Sequence, residues 1–261
     1  MKIPTLRFSW LEYYSKKNIF LKFYKYCFGT SFFHSRAVAH FLFHNLSFEK
    51  SNLVLDIGSG DGNFANWISY HSGCTVIGID RLSGRIALAK ETAQRYHLPN
   101  KFICLDLEKN PINFKNKSFD KILIIDTLEH FRNPQRIIHL AGNWLKDNGN
   151  LFISTPTINQ SRIFLHSYHN TFSYGDDQHF FEGFNIPLLI NWLRKAGFGG
   201  KIKAKYTFYG LHQFVWEVSE VIRKYKIFYT LFLPLFEIFT SLDHIIRIGK
   251  KGNGIILSAQ K

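Results

Sequence analysis

The sequence predicts an α/β fold in which a mostly parallel sheet carries helices on both faces. Between residues 51 and 155, short apolar runs alternate with longer segments of helical periodicity. This alternation is typical of doubly wound sheets, because parallel neighbours need a crossover helix between them. Hydrophobic residues make up 46% of the 261 residues, which is enough for a packed core.

Five apolar runs are predicted to be buried strands, at residues 54–57, 75–80, 101–105, 121–126 and 150–154. Helical patterning is found at residues 83–96 and 134–145. A further helix is predicted at 186–196, where Gly197 is suited to end it. A closing strand is expected at 254–259. The predicted order of elements therefore repeats strand and helix along most of the chain.

The flanking segments define the predicted domain organisation. Residues 1–50 are helix-prone, basic and aromatic, and are expected to form an N-terminal cap on a main domain of residues 51–261. Acceptor-binding insertions are expected at about 156–185 and 212–248. The second insertion is predicted to be a long helical segment that Pro234 interrupts.

Charge and cysteine content limit the function classes. The formal net charge is +14, which favours an anionic partner. Alternatively, this charge only keeps the protein soluble. The cysteines, Cys27, Cys74 and Cys104, include no CxxC pair, which argues against a disulfide framework or a structural zinc site. Neither a secretory signal nor an apolar run of about 18 residues is present. A cytoplasmic location is expected, with peripheral contact at the inner face of the membrane left open.

A glycine-rich turn follows the first predicted strand. Residues 56–62 read DIGSGDG, which is GxGxG preceded by an acid rather than the GxGxxG of dinucleotide sites. Glycines allow a tight turn and a close approach of backbone to ligand. A pyrophosphate prefers uncharged amides, whereas Asp56 favours a cation such as an amino group.

Two further acids end the next strands. Asp80 ends the second strand, where a carboxylate can accept hydrogen bonds from ribose hydroxyls. Asp106 follows the third strand, where a carboxylate can meet an exocyclic amine of adenine. Each acid alone is weak evidence, but three acids beside a glycine turn together predict a nucleoside-containing cofactor with a cationic group.

These segments resemble the motifs of class I S-adenosylmethionine-dependent methyltransferases. Residues 54–62 look like the first motif of that family, residues 78–80 like the second, and residues 119–122 and 128–131 like the segments around the fourth strand. Residues 144–151 stand where the family has a turn, and depart from its pattern at Asp147 and Asn148. The resemblance implies a Rossmann-like, seven-stranded fold that binds S-adenosylmethionine and releases S-adenosylhomocysteine.

The resemblance also implies a set of cofactor-binding residues at the strand ends. They are Asp56, Gly58, Ser59, Gly60, Asp80, Arg81, Asp106, Leu107 and Asp126.

Histidines are the candidates for the acceptor side, because a general base assists methyl transfer to a hydroxyl. Residues 178–184 are similar to the histidine-containing stretch of ubiquinone-type O-methyltransferases. His179 is therefore the first candidate and His130 the second, while His166 and His169 are weaker. Alternatively, His179 only packs against its neighbours.

A divalent metal is the alternative use of the same region. Asp126, Glu129 and His130 lie within one helical turn, and His179 would complete a set of two carboxylates and two imidazoles. Small-RNA 2′-O-methyltransferases resemble this arrangement, but have glutamate where this chain has Asp126.

Basic and aromatic residues also dominate two segments outside the core. They include residues 20–26 and 221–239, and the stretch 227–239 has one charged residue in thirteen. Cations beside apolar side chains suit a helix lying on an anionic membrane. Alternatively, these segments cover an acceptor pocket, contact a second subunit or bind single-stranded RNA.

Three functions are consistent with the sequence. The leading one is methylation of a small-molecule or lipid-like acceptor, most favourably at oxygen. The second is metal-dependent RNA 2′-O-methylation. The third is a membrane-associated cofactor-binding protein without turnover, against which the intact glycine turn argues.

Overall fold

The computed structural model describes residues 33–110, 112, 114–158, 160, 163, 179–222, 224–243, 245–249 and 251–261. The strands are β1 Leu53–Ile57, β2 Thr75–Asp80, β3 Lys101–Cys104, β4 Phe119–Ile125, β5 Leu145–Pro156, β6 Ile202–Thr207 and β7 Gly254–Gln260. The helices are α1 Phe33–Asn45, α2 Asn63–Ser72, α3 Ser83–Arg95, α4 Pro134–Trp144, α5 Ile186–Lys195, α6 Gly210–Ile222 and α7 Lys226–Leu242, with a 3-10 turn at Leu128–His130.

Within the described ranges, seven strands form one sheet in the order β3-β2-β1-β4-β5-β7-β6. Strands β1 to β5 pair in parallel, and β7 is antiparallel to both of its neighbours. The predicted doubly wound fold is confirmed. The chain runs outward from β1 through β2 to β3 and then returns to β4, so the direction of winding reverses between β1 and β4. Ligands of such sheets bind outside the carboxyl ends of the strands at this reversal.

Helices cover both faces of the sheet. Leu55 packs in a core cluster that includes residues of α4 and α5, such as Trp144. Its neighbour Val54 packs in a second cluster with residues of α1, α2 and α3, such as Trp67. Because successive strand residues point to opposite faces, the two clusters lie on opposite sides of the sheet. Burial on both faces makes the central strands continuous apolar runs, which is why the sequence pattern identified them.

Strand β6 was missed by the sequence analysis. Its residues alternate between partly buried and exposed positions, with Lys203 and Lys205 on the exposed side. This is the period-2 pattern of an edge strand, and charged side chains on an edge prevent pairing with other chains. The pattern was present, but the run carries too few large apolar residues to stand out as a strand.

The expected interruption at Pro234 was wrong. The segment forms two helices, of which the first ends at Ile222 and the second begins at Lys226, and Pro234 lies inside α7. Proline removes one backbone hydrogen bond and crowds the preceding turn. The buried contact of Phe236 with Val215 of α6 stabilises the helix in spite of the proline. Local helix propensity does not include such a tertiary contact.

Several expectations concern residues outside the described ranges. Residues 1–32, Cys27, His166 and His169 are among them. The described helix α1 packs into the core cluster of α2 and α3 through side chains such as Leu42. The domain boundary at residue 50 and the cellular location stay predictions. None of the helices that the structure describes is long and apolar enough to cross a membrane.

Candidate active site

A glycine turn connects β1 to α2 at the carboxyl edge of the sheet. The backbone amides of Gly58 and Ser59 donate hydrogen bonds to the carbonyl oxygen of Ile79, at 2.8 and 2.9 Å. Gly58, Gly60 and Gly62 all have positive φ angles, between 55° and 75°. Residues with a Cβ rarely adopt these angles, so the turn requires glycine.

Gly58 and Gly60 have different surroundings, and these indicate different roles for the two glycines. A Cβ on Gly58 would overlap the side chain of Thr127, so this glycine is needed for packing of the turn against the end of β4. A Cβ on Gly60 would point into open space, with the Arg85 side chain nearest at 4.0 Å. The backbone at Gly60 is therefore accessible to a ligand at close range, as a bound cofactor requires.

Two acids lie side by side beneath the turn. Asp56 is buried, and burial followed by the charge of Asp80 raises its pKa to about 7. Asp80 accepts hydrogen bonds from the amides of Gly60 and Leu82, both at 2.9 Å. A buried carboxyl beside a second carboxylate favours a positively charged ligand group. The pair therefore fits the cationic, amino-group-bearing cofactor expected from the sequence.

The other predicted cofactor residues differ in what they offer. Asp106 is half-buried at the sheet edge, and its Oδ1 accepts from the amide of Glu108 at 3.0 Å. Arg81 is exposed just after β2, whereas Leu107 is buried in the core. A Cβ on Gly78 would lie 2.7 Å from Ser59 Oγ, so the Ser59 side chain is buried against β2, and its backbone amide and carbonyl are used within the turn.

Asp126 turns the chain out of β4 in a strained conformation. Its φ is 46°, in the left-handed region that non-glycine residues seldom adopt. Ser154 of β5 holds this turn in two ways: its carbonyl accepts from the Asp126 amide and its hydroxyl donates to Asp126 Oδ1, both at 2.8 Å. Strain of this kind is often retained at functional sites.

Glu129 follows in the 3-10 turn and is buried. Thr155 Oγ1 donates a hydrogen bond to its Oε2 at 3.1 Å. Burial first, and then the charge of Asp126, raise the pKa of Glu129 to about 8. Burial and the neighbouring Asp126 therefore make the Glu129 carboxyl easier to protonate than an exposed glutamate.

The structure brings His130 and His179 together. Their rings are nearly perpendicular, with centroids 4.3 Å apart. The amides of Phe180 and Phe181 donate hydrogen bonds to the Glu129 carbonyl oxygen at 3.0 and 3.3 Å. These bonds hold the segment that follows His179 against the 3-10 turn. The two predicted acceptor-facing histidines are thus neighbours, although 48 residues separate them in the sequence.

The metal alternative is only partly matched. One ligand atom each from Glu129, His130 and His179 lie within 4.8 Å of one another. Asp126 lies outside this group, so the predicted four-residue set is reduced to three. Three such side chains can bind a divalent cation. The same three side chains can also accept a proton, so their chemistry fits both uses.

Sequence reasoning missed the contribution of β5. Ser154 and Thr155 hold Asp126 and Glu129 through their hydroxyls. Polar residues at the end of an otherwise apolar strand were a usable signal. Their hydrogen-bond partners could not be predicted from the sequence, because the pairing of β5 with β4 in the sheet brings together residues that are far apart in the chain.

Comparison with known proteins identifies the family. The family described as "Methyltransferase domain" matches residues 33–199, which is more than half of the chain. The chain is 31% identical over 129 residues to a sterol 24-C-methyltransferase of Saccharomyces cerevisiae, covering 45% of this chain and 34% of that protein. It is 34% identical over 106 residues to a ubiquinone biosynthesis O-methyltransferase of Coxiella burnetii, covering 41% of this chain and 44% of that protein.

Solved structures share the fold. A phosphoethanolamine N-methyltransferase 2 of Haemonchus contortus, in complex with S-adenosyl-L-methionine, aligns with a TM-score of 0.65 over 91% of this chain and 56% of that chain, at 20% identity. An S-adenosylmethionine-dependent methyltransferase from Mesorhizobium loti aligns with a TM-score of 0.60 over 88% of this chain and 100% of that chain, at 15% identity. The chain spans between a third and a half of the length of the curated relatives that it matches. With its matched domain, strand order and glycine turn, the chain belongs to the methyltransferase-domain family of class I S-adenosylmethionine-dependent enzymes.

Proposed function

We propose that this protein transfers the methyl group of S-adenosylmethionine to an oxygen of a small, lipid-like acceptor. The observation that carries the proposal is the cluster of Glu129, His130 and His179 at the same sheet edge as the glycine turn. A group that accepts a proton beside the cofactor edge is what transfer to a hydroxyl requires.

The cofactor side of the site is built for a charged nucleoside ligand. When bound, S-adenosylmethionine would supply a methyl group on a sulfonium, which the acceptor oxygen would take in line as S-adenosylhomocysteine leaves. Asp56 is placed to hold a cationic group, and the open backbone at Gly60 allows close contact. Asp80 keeps acceptor capacity for hydroxyl groups while it anchors the turn. These residues bind and orient, and holding two reactants aligned is a large part of catalysis.

The acceptor side is served by the two histidines. In this proposal His179, which is exposed, takes the proton from the acceptor hydroxyl as the new oxygen–carbon bond forms. His130 packs edge-on against it and fixes its ring. Glu129 lies within 4.8 Å of both rings, and its raised pKa limits the negative charge at the site before the acceptor arrives.

The surroundings of His179 favour an apolar acceptor. Phe180 and Phe181 follow it directly, and each is 37% exposed. The Arg132 guanidinium lies 4.9 Å from the Phe180 ring centroid, which leaves a cation beside this apolar surface. Curated relatives are named for methylation of a sterol and for ubiquinone biosynthesis, which supports a lipid-like acceptor. Because the named relatives and structures include C-, O- and N-methyltransferases, the choice of oxygen rests on the histidines.

The test uses S-adenosylmethionine labelled on its methyl group, incubated with the protein and an extract of its source cells. Products are separated into organic, nucleic-acid and small polar fractions, and labelled products are identified by mass spectrometry. We expect label in the organic fraction, attached to oxygen, and no label with Asp80→Ala. Binding of S-adenosylhomocysteine without label in any fraction would instead indicate a binding protein without turnover.

Histidine variants separate catalysis from binding. We expect His179→Gln to lower kcat by about 10²- to 10⁴-fold, the range for loss of a general base. Affinity for S-adenosylhomocysteine should stay within about twofold, because the cofactor residues are untouched. His139→Gln, on α4 and outside this cluster, is the matched control. A His179→Gln enzyme with unchanged kcat would show that this ring does not take the proton.

Metal-dependent RNA 2′-O-methylation is the second candidate, favoured by the three clustered ligand atoms. It predicts that chelator abolishes turnover, that Mg²⁺ or Mn²⁺ restores it, and that label appears in the nucleic-acid fraction. Turnover that is indifferent to chelator, with label in the organic fraction, would exclude it.

A further inference from the structure

Helix α7 has two adjoining rows of apolar side chains, one buried and one exposed. On one side Phe236 is buried against Val215 of α6, and Tyr229 and Phe239 pack around them. This contact joins α6 and α7 into a helical hairpin. Among the described helices, α1 also contacts α7. The exposed row lies beside the buried one, and the rings of Phe232 and Phe236 stack with their centroids 6.2 Å apart.

The second row is exposed and strongly apolar. It carries five large side chains that are between 43% and 69% exposed: Phe228, Leu231, Phe232, Leu235 and Ile238. Their spacing of three, four and seven residues places them along one side of the helix. Ten residues of helix make this row about 15 Å long. Monomeric soluble proteins rarely expose a contiguous apolar area of this kind without a function for it.

Further exposed apolar side chains follow α7 at Ile245, Ile246 and Ile248. The amide of Gly210 donates to the carbonyl of Ile248 at 2.9 Å, which holds the segment after α7 against the start of α6. We define the hairpin surface by its exposed apolar residues, which are Val221, Tyr225, Phe228, Leu231, Phe232, Leu235, Ile238, Ile245, Ile246 and Ile248.

Basic residues border this surface. Between residues 221 and 251 the sequence has six Lys or Arg residues and two acidic ones. The side chains of Lys224, Arg247 and Lys251 are exposed near its ends. Of the two acids, Asp243 is buried and accepts hydrogen bonds from the amides at the start of α6. An apolar stripe with basic ends complements an anionic lipid surface, in which apolar groups enter the acyl region and cations contact head groups.

The hairpin also lies at the carboxyl ends of the parallel strands, which is the edge of the sheet that carries the cofactor site. It follows the end of β6, where Thr207 pairs with Gly254, and Gly254 pairs with Pro156 at the end of β5. A cavity of about 360 Å³ opens at its base, lined by Tyr209, Leu211 and the partly exposed Phe214 and Ile248 among others. Three strand spacings, about 14 Å, separate β6 from β4 across the sheet. The ends of β4, β5 and β6 therefore lie at one edge of the sheet, within about three strand spacings of one another.

We propose that the hairpin surface docks the protein on an anionic phospholipid membrane, with the exposed row of α7 in the acyl boundary and the basic ends on the head groups. The membrane contact does not depend on the proposed methyl transfer. It adds a partner, and it explains how an enzyme of this family would reach an acceptor dissolved in lipid.

The test is co-sedimentation of the full chain with vesicles of phosphatidylcholine alone or mixed with phosphatidylglycerol. We expect partitioning that requires phosphatidylglycerol and weakens at high salt. The double variant Phe228→Ser, Leu231→Ser should lower the partition coefficient by at least about tenfold, because two apolar contacts with the acyl region are lost. Leu88→Ser, which is 42% exposed on α3, is the matched control and should leave it unchanged.

Charge variants and ligand binding complete the test. Lys224→Glu with Arg247→Glu should remove the preference for phosphatidylglycerol, whereas Lys90→Glu on α3 should not. All variants should keep their affinity for S-adenosylhomocysteine, so a failure to dock is distinguishable from a failure of the proposed function. The proposal is wrong if the protein stays in the supernatant with anionic vesicles, or if the double serine variant partitions like Leu88→Ser. It is also wrong if the double variant only dissociates a dimer that does not bind vesicles, since the surface would then join two copies.

Discussion

At the scale of single residues, the ionised form of the Asp56 carboxyl is expected to be stabilised by the bound ligand rather than by the protein. Its carboxyl is buried beside Asp80, and its pKa of about 7 means that ionisation costs free energy in the ligand-free protein. A cationic ligand group would remove that cost and hold the carboxylate ionised. Cofactor affinity is therefore expected to fall as the pH drops below about 7.

The variant Asp56→Asn tests this role. We expect it to weaken S-adenosylhomocysteine binding about 10- to 100-fold, the value of a hydrogen bond to a charged group. The same change should raise the free energy of unfolding of the ligand-free protein at pH 8, because a buried ionised group is removed. Calorimetric titration and urea unfolding measure the two effects, with Asp147→Asn at an exposed position near the start of β5 as control. Unchanged affinity would show that Asp56 does not face the ligand.

Gly58 carries a different kind of constraint. Its φ of 74° and the Thr127 side chain both exclude a Cβ. We expect Gly58→Ala to lower the free energy of unfolding by about 1–3 kcal/mol, the usual cost of overpacking. Gly84→Ala on α3, where nothing lies within 4 Å of the new Cβ, is the matched control and should be neutral or stabilising by up to about 1 kcal/mol. Equal effects of the two changes in urea unfolding would contradict this account.

At the scale of elements, the hairpin of α6 and α7 is held by one buried carboxylate. Asp243, just after α7, accepts hydrogen bonds from the amides of Tyr209, Leu211 and His212, at 2.7 to 3.1 Å. These amides lie at the start of α6, where backbone donors have no partner within the helix. The end of one helix thereby caps the beginning of the other.

We expect Asp243→Ala to lower the free energy of unfolding by about 1–3 kcal/mol, because buried amides are left without an acceptor. Limited proteolysis near residues 223–225 should become faster, because the hairpin opens locally before the sheet unfolds. Asp243→Asn, which keeps one acceptor oxygen, should have a smaller effect. Asp147→Ala should change neither measurement, and a similar loss there would argue against a specific cap.

The elements also show where sequence patterns succeed. The strands β1, β2 and β4 are buried on both faces, so their composition alone identified them. Strand β6 is an edge strand with exposed Lys203 and Lys205, and helix α7 contains Pro234. In both cases a long-range contact outweighs the local preference, with β7 for the strand and with α6 for the helix.

At the scale of the whole molecule, buried acids make stability depend on pH. In the folded protein, burial raises the pKa of Asp56 to about 7 and that of Glu129 to about 8, from ordinary values of 3.8 and 4.5. The folded state therefore binds these protons more tightly than the unfolded chain does. The stability that they contribute is complete below about pH 4 and is lost as the pH rises towards 8.

We accordingly expect the contribution of these two groups to lower the free energy of unfolding of the ligand-free protein between pH 5 and pH 8. Urea unfolding across this range measures the slope, and Asp56→Asn with Glu129→Gln should reduce it. S-adenosylhomocysteine should also reduce it if Asp56 becomes ionised against the ligand. A slope that the double variant leaves unchanged would mean that other groups control the pH dependence.

The sequence by itself determined the sheet, the glycine turn and the acids at the strand ends. These features depend on local composition and on the rule that the carboxyl ends of parallel strands meet at one edge, so Asp56, Asp80 and Asp106 could be grouped without coordinates. Only the tertiary structure decided which side chains meet across that edge. It placed His179 against His130, Thr155 on Glu129 and Thr127 over Gly58. It also left one side of α7 exposed. The physical reason is that such contacts depend on strand pairing and helix packing between residues far apart in the chain, which no local pattern records.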